Sequence, residues 1–341
     1  MTTDSDEISG FSMFFKKAID IKLRELYYCI SNLIQLGEFM SDYIVRTKSL
    51  TKTYGRRNVV DHINMHVKRG EIYGFIGRNG AGKTTTLKMI ANLVSPTSGE
   101  MELFGSTDLK QARKKIGVLI ENPGLYPAMN AYDNIKMKCL MLGIENSDKK
   151  IKELLELVGL QNAANKKAKN FSLGMKQRLG VAMTLVNDPE LILLDEPING
   201  LDPQGIVELR DLFLKLQQRG ITIIVSSHIL EELSKIANRF GVIASGKLIR
   251  EVTTEELHTL SHTAIVIEVD KEVEAKKVLM DFGIEDFRQD KQTFFVFDKD
   301  ANPGKINTAL VQAGIEVSSI RTQDEDVETM FINMMGGANY V

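Results

Sequence analysis

The sequence has few cysteines, no tryptophan and no excess of charge of either sign. Two of its 341 residues are cysteines, Cys29 and Cys139, which lie far apart along the chain. This usage argues against a disulfide framework and suits a reducing cytosol. Lysine and arginine total 43 against 45 aspartates and glutamates, which gives a net charge of −2. Because a dedicated nucleic-acid-binding protein usually has a basic excess or stripe, we expect no nucleic-acid partner.

The sequence also lacks a long hydrophobic run. No apolar stretch is long enough to cross a bilayer, and the N-terminus has no secretion signal. Any membrane role is therefore expected through a partner or an interfacial helix. The chain does contain 43% hydrophobic residues, which is ample for large cores. Its length exceeds what one core usually serves, so the first expectation is more than one domain.

Residues 1–44 form a separate N-terminal extension. Apolar side chains recur at steps of three or four from Phe15 to Leu33, which predicts an amphipathic helix. A helix that packs against protein is the commoner meaning of such a stripe, and a helix on a membrane surface is the alternative. A further hypothesis is that the native start is Met40, because codons for the preceding Gly37-Glu38 can resemble a bacterial ribosome-binding site.

Residues 45–255 alternate between strand-like and helical segments. Four nearly continuous apolar runs are typical of strands buried on both faces of a parallel sheet: "EIYGFIG", "KKIGVLI", "ELILLDEP" and "GITIIVSSH". A long helical stretch at about 130–188 is interpreted as a subdomain inserted into this α/β domain. Residues 260–341 instead follow the order βαββαβ plus a last helix, which predicts a small α+β ferredoxin-like domain. It has no catalytic cluster, so we interpret it as a packing or dimerisation module.

The stretch "GRNGAGKTT" fits the phosphate-binding pattern G-x-x-x-x-G-K-[ST], between a strand and a helix. Its glycines allow backbone N–H groups to converge on phosphate oxygens at the start of the helix. We predict that Lys83 reaches the β- and γ-phosphates and that Thr84 binds Mg²⁺. The predicted nucleotide-binding residues of this loop are Gly77, Arg78, Asn79, Gly80, Ala81, Gly82, Lys83, Thr84 and Thr85.

Two further stretches complete a candidate site for phosphate chemistry. The strand "LILLDEP" ends in Asp195, which can hold Mg²⁺, and Glu196, which can activate water. In "FSLGMKQR", Ser172 is well placed as a helix N-cap and Gly174 allows close approach of the backbone. Alone, two acids after a strand are weak evidence, and the second stretch has a simpler interpretation as a capped helix. Together with the phosphate loop they indicate one site.

The sequence also contains "NGLD" and "SSH". On all these motifs together, the chain resembles the nucleotide-binding subunit of an ABC transporter, a P-loop ATPase with an inserted helical subdomain. The resemblance implies ATP and Mg²⁺ as ligands, with Glu196 and His228 as catalytic residues. Tyr54 matches the aromatic residue that stacks on adenine, and Asp202 matches the loop that links the two sites. The signature that completes the site of the opposite subunit matches Ser172, Gly174 and Met175.

The sequence departs from the family pattern in two places. The signature is usually Leu-Ser-Gly-Gly-Gln, whereas this chain has Phe-Ser-Leu-Gly-Met. Glu121 stands where the family has a glutamine that contacts Mg²⁺ and the membrane subunit. A glutamate still offers an oxygen ligand to a hard cation, so Glu121 is predicted both as a metal ligand and as part of the coupling loop. These features resemble the bacitracin-resistance and lantibiotic-immunity branch.

The resemblance implies the energy subunit of an exporter that gives resistance to peptide antibiotics. It implies a separate integral-membrane permease, and pairing of two identical or similar ATPase subunits. The protein is then expected in the cytoplasm, held on the inner face of the cell membrane by the permease. Two alternatives stay open: an exporter ATPase for an unrelated cargo, such as a lipid or sugar, and a soluble ABC ATPase that acts on ribosomes or DNA.

Overall fold

The computed structural model describes residues 42–260, 263–298 and 301–324. The predicted N-terminal helix, the alternative start at Met40 and the last predicted helix lie outside these described residues. Within the described ranges, no helix combines the length and the hydropathy needed to span a bilayer.

Strands and helices follow the alternation that the sequence predicts. The strands are Tyr43–Tyr54 (β1), Arg57–Ile63 (β2), His66–Lys68 (β3), Ile72–Ile76 (β4), Ser98–Leu103 (β5), Ile116–Leu119 (β6), Leu191–Asp195 (β7), Thr222–Ser227 (β8), Arg239–Ala244 (β9), Lys247–Thr253 (β10), Thr263–Val269 (β11), Phe287–Asp290 (β12), Thr293–Val296 (β13) and Val317–Asp324 (β14). The helices are Lys83–Ile90 (α1), Leu109–Ala112 (α2), Ala131–Met141 (α3), Asp148–Leu157 (α4), Leu173–Thr184 (α5), Pro203–Gln218 (α6), Leu230–Ser234 (α7), Thr254–Leu260 (α8), Glu272–Asp281 (α9) and Pro303–Gln312 (α10).

The central sheet has the strand order β10-β9-β4-β8-β7-β6. Its pairs are parallel except for β10, which runs antiparallel to β9. Every residue of β4, β7 and β8 is buried. The prediction of apolar strands covered on both faces is therefore confirmed, and β6 forms one edge of the sheet.

Alternate residues of each central strand enter two different cores. Along β7, Ile192 and Leu194 join the core formed with helices α3 to α8, whereas Leu191 and Leu193 join the other. That second core contains α1 and an antiparallel sheet of β2-β1-β3, in which β5 also pairs with β1. The predicted helical region between β6 and β7 is present as α3, α4 and α5.

The C-terminal strands and helices have the order β11-α9-β12-β13-α10-β14, as the sequence predicts. They form an antiparallel sheet with the strand order β12-β13-β11-β14. Apolar residues such as Ile267, Phe294 and Leu310 form a third core that shares no residue with the other two. The predicted hairpin is present, because β12 ends at Asp290 and β13 begins at Thr293.

The parallel strands bring the predicted site residues to one edge of the central sheet. Because β4, β6, β7 and β8 run in the same direction, the segments that follow them leave the sheet together. The register places Asp195 opposite Ser226, and Ile76 opposite Ser227. The phosphate loop, Glu196 and His228 therefore start from adjacent strand ends.

Candidate active site

The phosphate loop depends on glycine at two closely packed positions. A Cβ atom on Gly77 would lie 2.3 Å from the carbonyl oxygen of Ile243. Gly82 has φ +113°, and a Cβ atom there would lie 2.7 Å from the carbonyl oxygen of Val59. Side chains are thus excluded from both positions, and α1 begins at the next residue, Lys83. The free N–H groups of its first turn are where a helix binds anions.

Lys83 is a buried cation in the centre of the loop. Its side chain is 5% exposed, and its Nζ atom donates to the carbonyl oxygen of Gly77 at 2.5 Å. The same Nζ atom lies 3.1 Å from Oε1 of Glu196. Since a buried charge needs compensation, Lys83 holds the loop and the end of β7 together.

Thr84 and Asp195 form the second part of the site. The Thr84 hydroxyl donates to Oδ2 of Asp195 at 2.7 Å. The Ser226 hydroxyl donates to Oδ1 of the same buried carboxylate at 2.6 Å and accepts from the backbone N–H of Glu196 at 3.0 Å. Sequence reasoning missed Ser226. The signal was present, because a serine at the end of a fully buried strand needs hydrogen-bond partners.

Glu196 lies between two basic side chains. Its Oε2 atom is 2.8 Å from Nδ1 of His228, and its Oε1 atom faces Lys83. Its backbone has φ +48°, a conformation that non-glycine residues seldom adopt and that often occurs at functional sites. The Glu196 side chain is 20% exposed and that of His228 34% exposed, whereas Oε1 of Glu196 is itself buried against Lys83.

The oxygen ligands of this edge fit Mg²⁺. In the described part of the chain, no group of three or more His, Cys, Asp or Glu side chains could hold a metal ion. Mg²⁺ does not need such a group, since it usually keeps several waters and binds one or two protein ligands plus substrate phosphates. The hydroxyl of Thr84 and the carboxylate of Asp195 supply such ligands side by side.

The signature stretch and the inter-site loop lie next to each other. Ser172 caps α5 by accepting from the N–H of Met175 at 3.2 Å, as predicted. Asp202 caps α6 by accepting from the N–H of Gly205 at 3.1 Å. A Cβ atom on Gly174 would lie 3.6 Å from Cα of Gly205, so the two helix starts are in close proximity. Their predicted roles toward a second subunit stay predictions.

Tyr54 is exposed and is not a core residue. Its side chain is 51% exposed, and the Nζ atom of Lys52 lies 5.0 Å from the centre of its ring. It ends β1 in the hairpin with β2, the strand that carries Val59 beside Gly82. The ring is therefore available on a hairpin that contacts the phosphate loop, and its stacking on adenine stays a prediction.

Glu121 lies on the same edge of the sheet but contacts a different part of α1. Its Oε1 atom is 2.6 Å from Nζ of Lys88, in the last turn of that helix. The side chain is 63% exposed, and the backbone has φ +66°. Its predicted contacts with Mg²⁺ and with a permease remain predictions.

A groove of about 570 Å³ lies beside the edge strand β6. The residues on either side of Glu121, Ile120 and Asn122, line it, as do Leu93 and Leu142. Among the described residues that line it there are three basic ones and no carboxylate: Arg113, Lys114 and Lys138. The groove therefore combines apolar side chains with a local excess of basic ones.

Comparison with known proteins identifies the family. Residues 60–199 match the ABC transporter family. The bacitracin transport ATP-binding protein BcrA of Bacillus licheniformis is 41% identical over 86% of this chain and 98% of its own length. The lantibiotic transport ATP-binding protein SrtF of Streptococcus pyogenes is 44% identical over 66% of this chain and 99% of its own length. A dimeric ATP-binding cassette with bound ADP and Pi is 28% identical and matches with a TM-score of 0.56, covering 62% of this chain and 98% of that one. The chain therefore belongs to the ATP-binding proteins of ABC transporters, the family that its motifs resemble.

Proposed function

We propose that this protein binds and hydrolyses ATP to drive a separate membrane permease that exports peptide antibiotics. The observation that carries the ATPase part is the contact of Glu196 with both Lys83 and His228, beside the pair of Thr84 and Asp195. A carboxylate that is held next to a phosphate loop between two basic groups is placed to accept a proton from an attacking water.

Each residue of the site has a distinct role in this mechanism. The N–H groups at the start of α1 bind the phosphates, and Lys83 exchanges its contact with Glu196 for the γ-phosphate. Thr84 and Asp195 would hold Mg²⁺, which supplies positive charge to the phosphate oxygens when bound. Glu196 accepts a proton from the attacking water, and Nδ1 of His228 orients its carboxylate.

Two ATPase subunits would form a head-to-tail pair. The exposed start of α5 at Ser172, next to the loop of Asp202, would close over the ATP held by the opposite subunit. The similar ATP-binding cassette with bound ADP and Pi is dimeric, which supports pairing of two subunits. The partner would be a second copy of this chain or a similar ATPase.

The groove beside β6 would receive a cytosolic segment of the permease. Apolar and basic lining residues suit an amphipathic segment that carries acidic side chains. The permease would hold the protein on the inner face of the cell membrane. We further propose that residues 45–255 form the ATPase domain and 260–341 an accessory domain, a division that the separate third core supports.

The cargo is proposed from the relatives. The names of BcrA and SrtF refer to bacitracin transport and lantibiotic transport. The permease mainly selects the cargo. The competing hypothesis for this part of the proposal is therefore an unrelated cargo.

The test is growth of a deletion strain in bacitracin, several lantibiotics and an unrelated drug. The strain is complemented with the wild-type gene or with Glu196→Gln. Sensitivity that is selective for the peptides and is rescued by the wild type alone supports the whole proposal. Unchanged growth of the deletion strain across the panel would contradict the peptide cargo. ATP hydrolysis by the purified Glu196→Gln variant at the wild-type rate would contradict the mechanism.

A further inference from the structure

An ion pair connects the groove to the helix of the phosphate site. Glu121 follows the edge strand β6, and its neighbours Ile120 and Asn122 line the groove. Glu121 itself is not among the residues that line the groove. Its Oε1 atom instead lies 2.6 Å from Nζ of Lys88. Lys88 belongs to α1, the helix that begins with Lys83. One contact therefore joins the proposed permease surface to the phosphate-binding element.

The backbone on the Glu121 side of this pair is closely packed. A Cβ atom on Gly180 of α5 would lie 2.6 Å from Cβ of Pro123, so the loop after Glu121 rests directly on α5. Glu121 itself has φ +66°, which for a residue with a side chain persists when the surrounding structure holds it. The loop thus directs the carboxylate toward α1.

The backbone on the Lys88 side is also held. The carbonyl oxygen of Lys88 accepts from the N–H groups of Leu93 and Val94 at 2.8 and 3.2 Å, which closes the end of α1. Arg113 binds the same helix end through the carbonyl oxygens of Met89 and Ile90. The guanidinium of Arg113 is therefore engaged in capping α1, and Lys88 is the cation that contacts Glu121.

We propose that Lys88 is a positioning residue, which holds the carboxylate of Glu121 against α1 so that movement of the groove loop is transmitted to the phosphate site. The link to transport rests on the proposed function. An exposed ion pair adds little to the stability of a protein, so the role of this pair is to be measured in the position of the loop and not in the free energy of unfolding. Glu121 and Lys88 act as a pair in this proposal. Removal of either charge should release the loop as much as removal of both.

A double-mutant cycle tests the pair in the full-length protein. The variants are Lys88→Gln, Glu121→Gln and the double variant, with Lys88→Arg as the conservative change. Lys48→Gln is the matched control, because Lys48 also pairs with an acid, Glu100, at 3.8 Å, but on the antiparallel sheet.

The first measurement does not involve ATP. A nitroxide label is attached to Asn122→Cys in a Cys29→Ser background, in which the remaining Cys139 is buried. We expect both single variants to increase the mobility of the label, and the double variant to increase it no further. Lys88→Arg and Lys48→Gln should keep the wild-type spectrum.

The second measurement is the ratio of permease-stimulated to basal ATPase activity in the reconstituted complex. Each single variant should lower this ratio about two- to fivefold, the range that corresponds to the coupling of exposed ion pairs. The effect of the double variant should be well below the product of the two single effects, because contacting residues are not additive.

Wild-type label mobility in Lys88→Gln, additive single effects, or an equal effect of Lys48→Gln would overturn the positioning role. A wild-type protein without permease-stimulated ATPase activity would instead overturn the proposed function. In that case the label spectra still decide whether Lys88 holds Glu121, so the two failures are distinguishable.

Discussion

Glu196 and Glu121 are two glutamates in similar backbone positions that have very different surroundings. Each follows a parallel strand at the same edge of the central sheet, and each has a positive φ, +48° and +66°. Glu196 is 20% exposed and contacts both Lys83 and His228, whereas Glu121 is 63% exposed and contacts Lys88.

The strand order explains this difference. β7 lies between β8 and β6, so its end is flanked by the end of β8. Lys83 and Thr84, which follow the phosphate loop after β4, also contact the residues at the end of β7. β6 is the edge strand, so its end faces the groove. An enclosed carboxylate between basic groups suits proton transfer, whereas an exposed one suits contact with a partner. We therefore propose a chemical role for Glu196 and contact with the permease for Glu121.

Of the substitutions that test this difference, Glu196→Gln should have the largest effect on ATP turnover. The amide keeps the size of the side chain but cannot accept the proton, so turnover should fall by about 10²–10⁴-fold. ATP binding should remain, because the phosphate loop is unchanged. Phosphate release and nucleotide titration measure the two quantities. If ATP binding is lost together with turnover, Glu196 is needed to hold the phosphate loop. If the variant turns over ATP at a rate comparable to the wild type, Glu196 is not the base.

His228→Ala should lower turnover by about a hundredfold, the size of effect seen when one preorganised hydrogen-bond donor is removed from an active site. The change deletes the contact at 2.8 Å that orients Glu196 but leaves Lys83 and the phosphate loop in place. Steady-state kinetics should show a lower kcat with little change in KM. A change confined to KM would mean that His228 serves ATP binding instead.

Ser226→Ala tests whether the enclosed site at the end of β7 depends on its hydrogen bonds. The change leaves Oδ1 of Asp195 without its partner, and an unpaired buried polar atom costs about 1–3 kcal/mol. The N–H of Glu196 loses the hydroxyl but keeps the carbonyl oxygen of Ser226 as acceptor. Chemical denaturation should show this loss of unfolding free energy together with reduced turnover. Ser95→Ala, at an exposed loop position, is the control and should change stability by less than about 0.5 kcal/mol. Equal stability of the two variants would contradict the proposed importance of this network.

Glu121→Gln should have the smallest effect on the isolated protein. Because its ion pair is exposed, the free energy of unfolding should change by less than about 1 kcal/mol. Coupling to the permease should change more than nucleotide affinity does. Parallel measurements of nucleotide binding and of permease-stimulated ATPase activity check this order. An unchanged stimulated rate would remove the distinction between the two glutamates.

The local structures that the sequence predicted correctly are those whose surroundings are contiguous in the chain. The phosphate loop needs the strand before it and the helix after it, and all three are contiguous from Ile72 to Ile90. Ser172 caps a helix that begins at the next residue, so its hydrogen bond could be predicted from its neighbours. The order of strands and helices in the C-terminal part followed from periodicity for the same reason.

The amino-acid sequence by itself determined the family, the buried parallel strands and the identity of the candidate site residues, because short patterns encode strands, turns and helix starts. The tertiary structure decided which of these residues meet. It placed Ser226 on Asp195, Gly174 against Gly205, and Lys88 on Glu121. Those contacts depend on strand order and register, which arise from packing between segments that are distant in the chain. For the same reason, only the fold showed that Glu196 ends an enclosed strand and Glu121 an open edge.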